Sequence, residues 1–139
     1  MLRLNRKTEY ALMAIQHLAA LPAGDHASTS EIARRYQIPD MLLAKVLQRL
    51  KRHGLLRSTK GAAGGYALAR DPREINFLDF LAIFEEQTTL VDCSGAGGPS
   101  CSLVDVCEIR SPVLALDALL QRQLRHLTLH DVLAFEGDA

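Results

Sequence analysis

Three cysteines, Cys93, Cys101 and Cys107, fall within fifteen positions of a 139-residue chain that has no other cysteine. Seven residues separate the first pair and five the second. An odd number of thiols cannot close an intrachain disulfide framework, and nothing in the composition points to an oxidising compartment. Without a C-x-x-C pair the set matches structural zinc patterns poorly. Thiolates arriving from several directions are what an iron–sulfur cluster requires. The spacing therefore leaves open a cluster, zinc, a redox disulfide with a spare thiol, and unliganded thiols. The first interval, Ser94 to Ser100, is built of small residues that could wrap around an inorganic group and offer it backbone N–H donors. Asp92, Asp105 and Glu108 are nearby carboxylates. His126 and His130, at i and i+4, could share a metal, but they read more simply as surface helix residues.

A second chemistry is electrostatic. Residues 1–70 carry 12 Lys and Arg against 4 Asp and Glu, while residues 71–139 carry 4 against 12. The net of +8 on the first half suits a polyanion, because neutralised phosphates release condensed counterions. The plainer alternative is two solvated faces that attract each other. With 48% hydrophobic and 23% charged residues the chain can build a core. No apolar run reaches the roughly 18–20 residues that span a bilayer, and Met1 to Lys7 lacks the apolar stretch of a secretory signal. A soluble, cytoplasmic protein with no membrane partner is expected.

The elements that must carry these groups are mostly helical. Asn5 is a good N-cap for a first helix with Ala11, Leu12, Ile15, Leu18 and Ala19 along one stripe; Pro22, Gly24 and Asp25 end it. Ser28-Thr29-Ser30-Glu31 is a capping-box pattern that opens a short second helix to about Tyr36. After the turn at Gln37 to Asp40, a third helix runs to about His53, burying Leu43, Val46, Leu47 and Leu50 ahead of Gly54. Leu55–Ser58 and Tyr66–Ala69 read as strands joined by a small-residue connector, hence as a hairpin wing after a helix-turn-helix. No Gly-Lys-Ser/Thr is present, so the connector is not a nucleotide P-loop. Ile75–Phe84 reads as an apolar helix and Val91–Arg110 as a loop. Ser111-Pro112 reads as an N-cap with proline at the first helical position. The leucine-rich helix that follows, of about 24 Å, carries Leu114, Leu116, Leu119, Leu120, Leu124 and Leu127. Such a face calls for a two-fold dimer, for packing on the chain's own front half, or for both. Thr128 opens a last short helix.

On the third helix, the face opposite the buried one shows Met41, Ala44, Lys45, Gln48 and Arg52. Lys45 and Gln48 have the donors that read base edges in a major groove. Arg34, Arg35, Arg49, Lys51, Arg52, Arg57 and Lys60 would meet phosphates, which position without specifying sequence. Thr29 and Ser30, at a helix N-terminus, would add hydroxyl and backbone donors.

At this point a resemblance becomes specific. Gly61-Ala62-Ala63-Gly64-Gly65-Tyr66-Ala67-Leu68-Ala69-Arg70 resembles the wing of the winged-helix iron–sulfur transcriptional regulators that include IscR and NsrR. Arg3-Leu4 with Thr8-Glu9-Tyr10-Ala11-Leu12 is similar to that family's first helix, and the three cysteines and the Leu127-Thr128-Leu129 tail match as well. The resemblance covers nearly the whole chain. It implies a homodimer with one winged helix per subunit on a palindromic operator in double-stranded DNA, and a cluster on Cys93, Cys101 and Cys107, with two or four irons undecided. Two departures stand out. Members commonly leave five residues in both cysteine intervals, so the first one here is longer. IscR-like members place a histidine ligand three positions after the last cysteine, where this chain has Arg110. NsrR-like members recruit a carboxylate from the partner's first helix, which maps to Glu9; as an ordinary first-turn acid Glu9 would simply suit the helix dipole.

The expected fold class is mainly α: residues 1–72 a winged helix-turn-helix with a small β-hairpin wing, residues 73–139 a sensory cysteine loop with a long dimerisation helix. The expected function is transcriptional regulation controlled by the cluster, sensing nitric oxide, redox stress or iron–sulfur status. The alternatives are a cluster-free thiol or disulfide switch on the same DNA-binding frame, and an iron–sulfur carrier or enzyme. No nucleophile–base set or nucleotide fingerprint supports an enzyme.

Overall fold

The computed structural model describes residues 3–94 and 101–136. Six helices and one hairpin follow in order: α1 Arg6–Ala19, α2 Thr29–Tyr36, α3 Asp40–Arg52, β1 Leu56–Thr59, β2 Gly65–Leu68, α4 Phe77–Phe84, α5 Arg110–His126 and α6 Leu129–Ala134. Single 3₁₀ turns lie at Pro72–Glu74 and Asp92–Ser94. This is a mainly α winged helix.

The helix starts are set locally. Asn5 Oδ1 accepts from Thr8 N at 3.0 Å. Ser28 and Glu31 form a reciprocal capping box on α2, and Thr128 and Asp131 do the same on α6, satisfying N–H groups that a helix start leaves unpaired. Gln37 takes a left-handed conformation (φ 55°) to close α2, and Gly54 does so after α3 (φ 78°).

Three boundaries differ from expectation. The hairpin pairs Leu56 with Leu68 and Thr59 with Gly65, one residue beyond the expected first strand and one before the second. Leu55 lies outside because its N–H goes back to Leu50 O of α3, while its carbonyl accepts from Ala69 N. The fourth helix begins at Phe77, two residues late, because Ile75 is extended and accepts from Leu129 N at 2.8 Å. Asn76 is the actual cap, accepting from Leu78 N and Asp79 N and donating to Arg125 O at 2.7 Å. Finally, α5 starts at Arg110, with Ile109 in the cap position and no side-chain cap. The expected Ser111 cap is inside the first turn, where Pro112 is tolerated because those N–H groups have no intrahelical acceptor.

One core unites these elements. Ile15 of α1, Ile32 of α2, Leu43, Leu47 and Leu50 of α3, Phe80 and Leu81 of α4 and Leu129 of α6 are almost wholly buried in a single hydrophobic cluster. Leu124 and Leu127 also pack on it, whereas Leu116 and Leu119 on α5 remain about half exposed (49% and 44%).

The wing is anchored by its glycines. Tyr66 pairs with Ala27, immediately ahead of α2, through hydrogen bonds of 2.7 and 3.0 Å. A methyl group at Gly65 would stand 2.4 Å from Ala27 O, and one at Gly64 would stand 2.1 Å from Thr59 O. No side chain fits at either place, which accounts for the Gly64-Gly65 pair. His26 Nε2 meets Ala63 O, so the hairpin is also held at its tip.

Candidate DNA-reading face and cysteine cavity

The residues expected to meet DNA lie on α2, α3 and the wing. Thr29 is the half-buried first residue of α2, Ser30 is exposed beside it, and Arg34 and Arg35 are exposed in its last turn. On α3, Met41 is 76% exposed, Lys45, Gln48 and Arg52 are exposed, and Ala44 is half-buried between them. Lys60 is exposed at the wing. The α3 pattern follows from its four buried residues, spaced at the helical period on the opposite side.

The structure adds residues to this face. Lys7 of α1 and Phe84 of α4 join Lys45, Gln48, Arg49 and Arg52 around a cavity of about 230 Å³. Arg49 is held over the Phe84 ring, 5.5 Å from its centroid. Among the described residues the ion pairs are Arg6–Glu9 and Arg73–Asp71, so Lys7, Lys45, Arg49 and Arg52 carry charge that no carboxylate neutralises. Lys7 could not have been assigned from local pattern, since it reaches α3 only through the packing of α1 on α3.

The three thiols share a second cavity, of about 450 Å³, whose walls include Leu90, Leu103, Ile109, Arg110 and Val113. Cys93 and Cys107 are half-buried, Cys101 is exposed, and all are free thiols. Cys93 is delivered by the 3₁₀ turn Asp92–Ser94. Cys101 and Cys107 come from a run of turns in which Val104 N donates to Cys101 O and Arg110 N to Cys107 O. Residues 95–100, most of the interval expected to wrap an inorganic group, lie outside the described residues.

Among the described residues no three His, Cys, Asp or Glu side chains converge closely enough to hold a single metal ion. An extended cluster asks instead for thiolates spread around a cavity, and three thiols around one largely apolar cavity fit it. The charge fits as well. Arg110 borders the cavity; a guanidinium has no lone pair to give a metal, but it suits an anionic thiolate-bound group. Glu9 is paired with Arg6 at 2.8 Å on the surface of α1.

Two polar residues that the sequence reading passed over hold the stem of this cavity. Asp117 Oδ1 accepts from Leu90 N at 2.7 Å, and Gln121 donates to Thr88 O.

Residues 4–134 match the Rrf2 family, described as iron-dependent transcriptional regulators. The chain belongs to the Rrf2 family. Its similarity to the HTH-type transcriptional regulator NsrR of Geobacillus kaustophilus is 35% identity over 133 residues, covering 95% of this chain and 90% of that one. Protein aau3 of Rhizobium meliloti is 34% identical over 122 residues, 86% of this chain and 78% of the relative. Among solved structures, the fold is that of CymR, the global cysteine regulator of B. subtilis, with a TM-score of 0.74, 22% identity and coverage of 99% and 100% of the two chains. T. potens IscR superposes with a TM-score of 0.66 at 27% identity, covering 94% and 85%. As an Rrf2 protein the chain is a transcriptional regulator. No helix among the described residues is long and apolar enough to cross a membrane.

Proposed function

We propose that this chain acts as a homodimer on a palindromic operator in double-stranded DNA, under the control of an iron–sulfur cluster held by Cys93, Cys101 and Cys107. The observation that carries the reading is the single cavity lined by all three thiols directly ahead of α5. The family's description as iron-dependent supports it. The place of action is then the cytoplasm, where the chromosome is.

Each group has a part. The three thiolates hold the cluster, Arg110 offsets its negative charge, and Leu90, Leu103 and Val113 limit the water that reaches it. A fourth ligand is Glu9 of the partner subunit. Its pairing with Arg6 is exposed and must open, which costs little because surface ion pairs contribute only about 0–1 kcal/mol. When bound, the cluster supplies a centre sensitive to nitric oxide, oxidants and iron supply. Lys45 and Gln48 meet base edges with Met41 and Ala44 as their apolar surround. Thr29, Ser30, Arg34, Arg35, Arg52 and Lys60 meet phosphates. Exposed Leu116 and Leu119 on α5 suit the dimer contact. Residues 1–72 form the DNA-reading part and residues 73–139 the sensing and dimerising part. Cluster and operator must each change the other's affinity by the same factor.

The test is anaerobic purification with a visible spectrum and iron and sulfide counted per chain, followed by operator binding with and without the cluster. A coloured, iron-containing protein whose operator affinity changes on cluster loss is expected. A colourless protein that binds DNA identically after reconstitution overturns the reading.

A second reading keeps the DNA face and makes the cysteines a cluster-free switch. The exposure of Cys101 favours it, since oxidation to sulfenic acid or disulfide follows accessibility. Mass spectrometry after mild peroxide, beside an iron and zinc assay, separates the two.

A further inference from the structure

We propose that Asp117 is the positioning residue of the cysteine cavity: its carboxylate ties the segment that delivers Cys93 to α5, so that cavity and helix move as one body. Asp117 is the single buried residue on α5 among the described residues, 5% exposed on a helix whose leucines are half-buried or open. A carboxylate is costly to bury without partners. Here Leu90 N supplies one at 2.7 Å, and among the described residues no Lys, Arg or His lies within ion-pair reach of Asp117. Its bond is thus to backbone, which is the way to hold a segment rather than a charge. One turn along α5, Gln121 donates to Thr88 O, and one turn back Val113 lines the cavity itself.

The consequence concerns both ends of the cysteine segment. Cys107 precedes Arg110 by three positions, and its carbonyl accepts Arg110 N, the first residue of α5. Cys93 follows Leu90 by three positions and is joined to α5 through the Asp117 hydrogen bond. The covalent chain ties one end and Asp117 the other. Without Asp117, Cys107 stays with α5 while the segment that delivers Cys93 loses one of its ties to that helix and keeps the Gln121 bond at Thr88.

The proposal rests on the functional reading above only for what the cavity holds, and its test is built to separate the two. In the reduced, cluster-free, full-length protein, alkylation of each thiol by iodoacetamide is followed by mass spectrometry. Asp117→Ala is expected to raise the rate at Cys93 relative to Cys107 by about fivefold, the factor that one hydrogen bond of ordinary net strength supplies. Asp117→Asn, which keeps an acceptor of the same shape, is expected to restore the wild-type ratio, and Gln121→Ala to raise it less. After reconstitution, Asp117→Ala is expected to alter the visible circular dichroism of the cluster, and Asp117→Asn is not. A folded Asp117→Ala with the wild-type labelling ratio overturns the proposal, as does an Asp117→Asn that matches Asp117→Ala. Should Asp117→Ala fail to fold, Gln121→Ala decides in its place: a raised ratio supports the tether and an unchanged one overturns it. A wild-type protein that takes up no cluster while the labelling pattern holds would remove the cluster and leave the tether standing.

Discussion

Thr8 Oγ1 donates to Glu85 Oε1 at 2.5 Å, although 77 positions separate them in the chain. Thr8 is wholly buried, and the same carboxylate oxygen accepts Asn5 N at 2.9 Å, while Asn5 Nδ2 donates to Phe84 O at 2.7 Å. The C-terminal end of α4 is thereby locked to the start of α1. With Asp117 holding Leu90, the stretch between Glu85 and Leu90 is fastened to the start of α1 at one end and to α5 at the other.

Removing the Glu85 carboxylate leaves the Asn5 backbone N–H without its acceptor and the buried Thr8 hydroxyl with only the longer bond to Asn5 Oδ1, 3.3 Å. Glu85→Ala is expected to cost about 1–3 kcal/mol, the usual penalty for orphaned buried donors, and Glu85→Gln less, because an amide oxygen still accepts. Urea unfolding of the three proteins checks both values.

The wing tolerates no Cβ at Gly65. Gly65→Ala is expected to push the hairpin from Ala27, at about 1–3 kcal/mol as in other overpacked sites, and to weaken operator binding because the displaced contact lies at the start of α2. Ala62→Ser, on the exposed tip, is the control and should change neither stability nor binding.

The polar residues around the α1–α3 cavity divide by what each is proposed to meet on DNA. Lys7→Ala, Arg49→Ala and Arg52→Ala are each expected to weaken binding to all sequences alike and to reduce the salt slope of log K by about 1. Lys45→Ala and Gln48→Ala should instead relax base preference, by about 1–3 kcal/mol at the contacted position. Fluorescence anisotropy at several salt concentrations, on operator and random duplex, distinguishes the two classes.

The capping box on α2 makes the start of that helix sensitive to acid. Hydrogen bonds from Ser28, backbone first and side chain second, hold the Glu31 carboxyl below its ordinary range. A depressed carboxylate contributes its stability fully above the unfolded-state pKa and loses it as pH falls through the folded-state value. The protection of amides at the start of α2, measured as exchange relative to the intrinsic rate at each pH, is therefore expected to fall on acidification below the ordinary carboxylate range. Glu31→Gln should flatten that dependence.

Much of this molecule is legible in its sequence. Asn5, Ser28 and Thr128 announce helix starts because a cap acts on N–H groups two or three residues away. Leu43, Val46, Leu47 and Leu50 announce a buried face because their spacing is the helical period. Local pattern and structure part where a distant segment intervenes. Ile75 looks helical in its local run but is drawn into extended pairing by Leu129. Ser111-Pro112 looks like a start, yet the turn at Cys107 begins α5 earlier.

The amino-acid sequence by itself determined the element types, the face of α3 that stays open, the family and the presence of three thiols, since each depends on residue identity and short-range period. Only the tertiary structure decided that those thiols share a cavity, that Lys7 joins the α3 face, and that Glu85 and Asp117 are fasteners rather than surface acids. A carboxylate's role depends on which distant donor comes within 3 Å of it, and no local period encodes that distance.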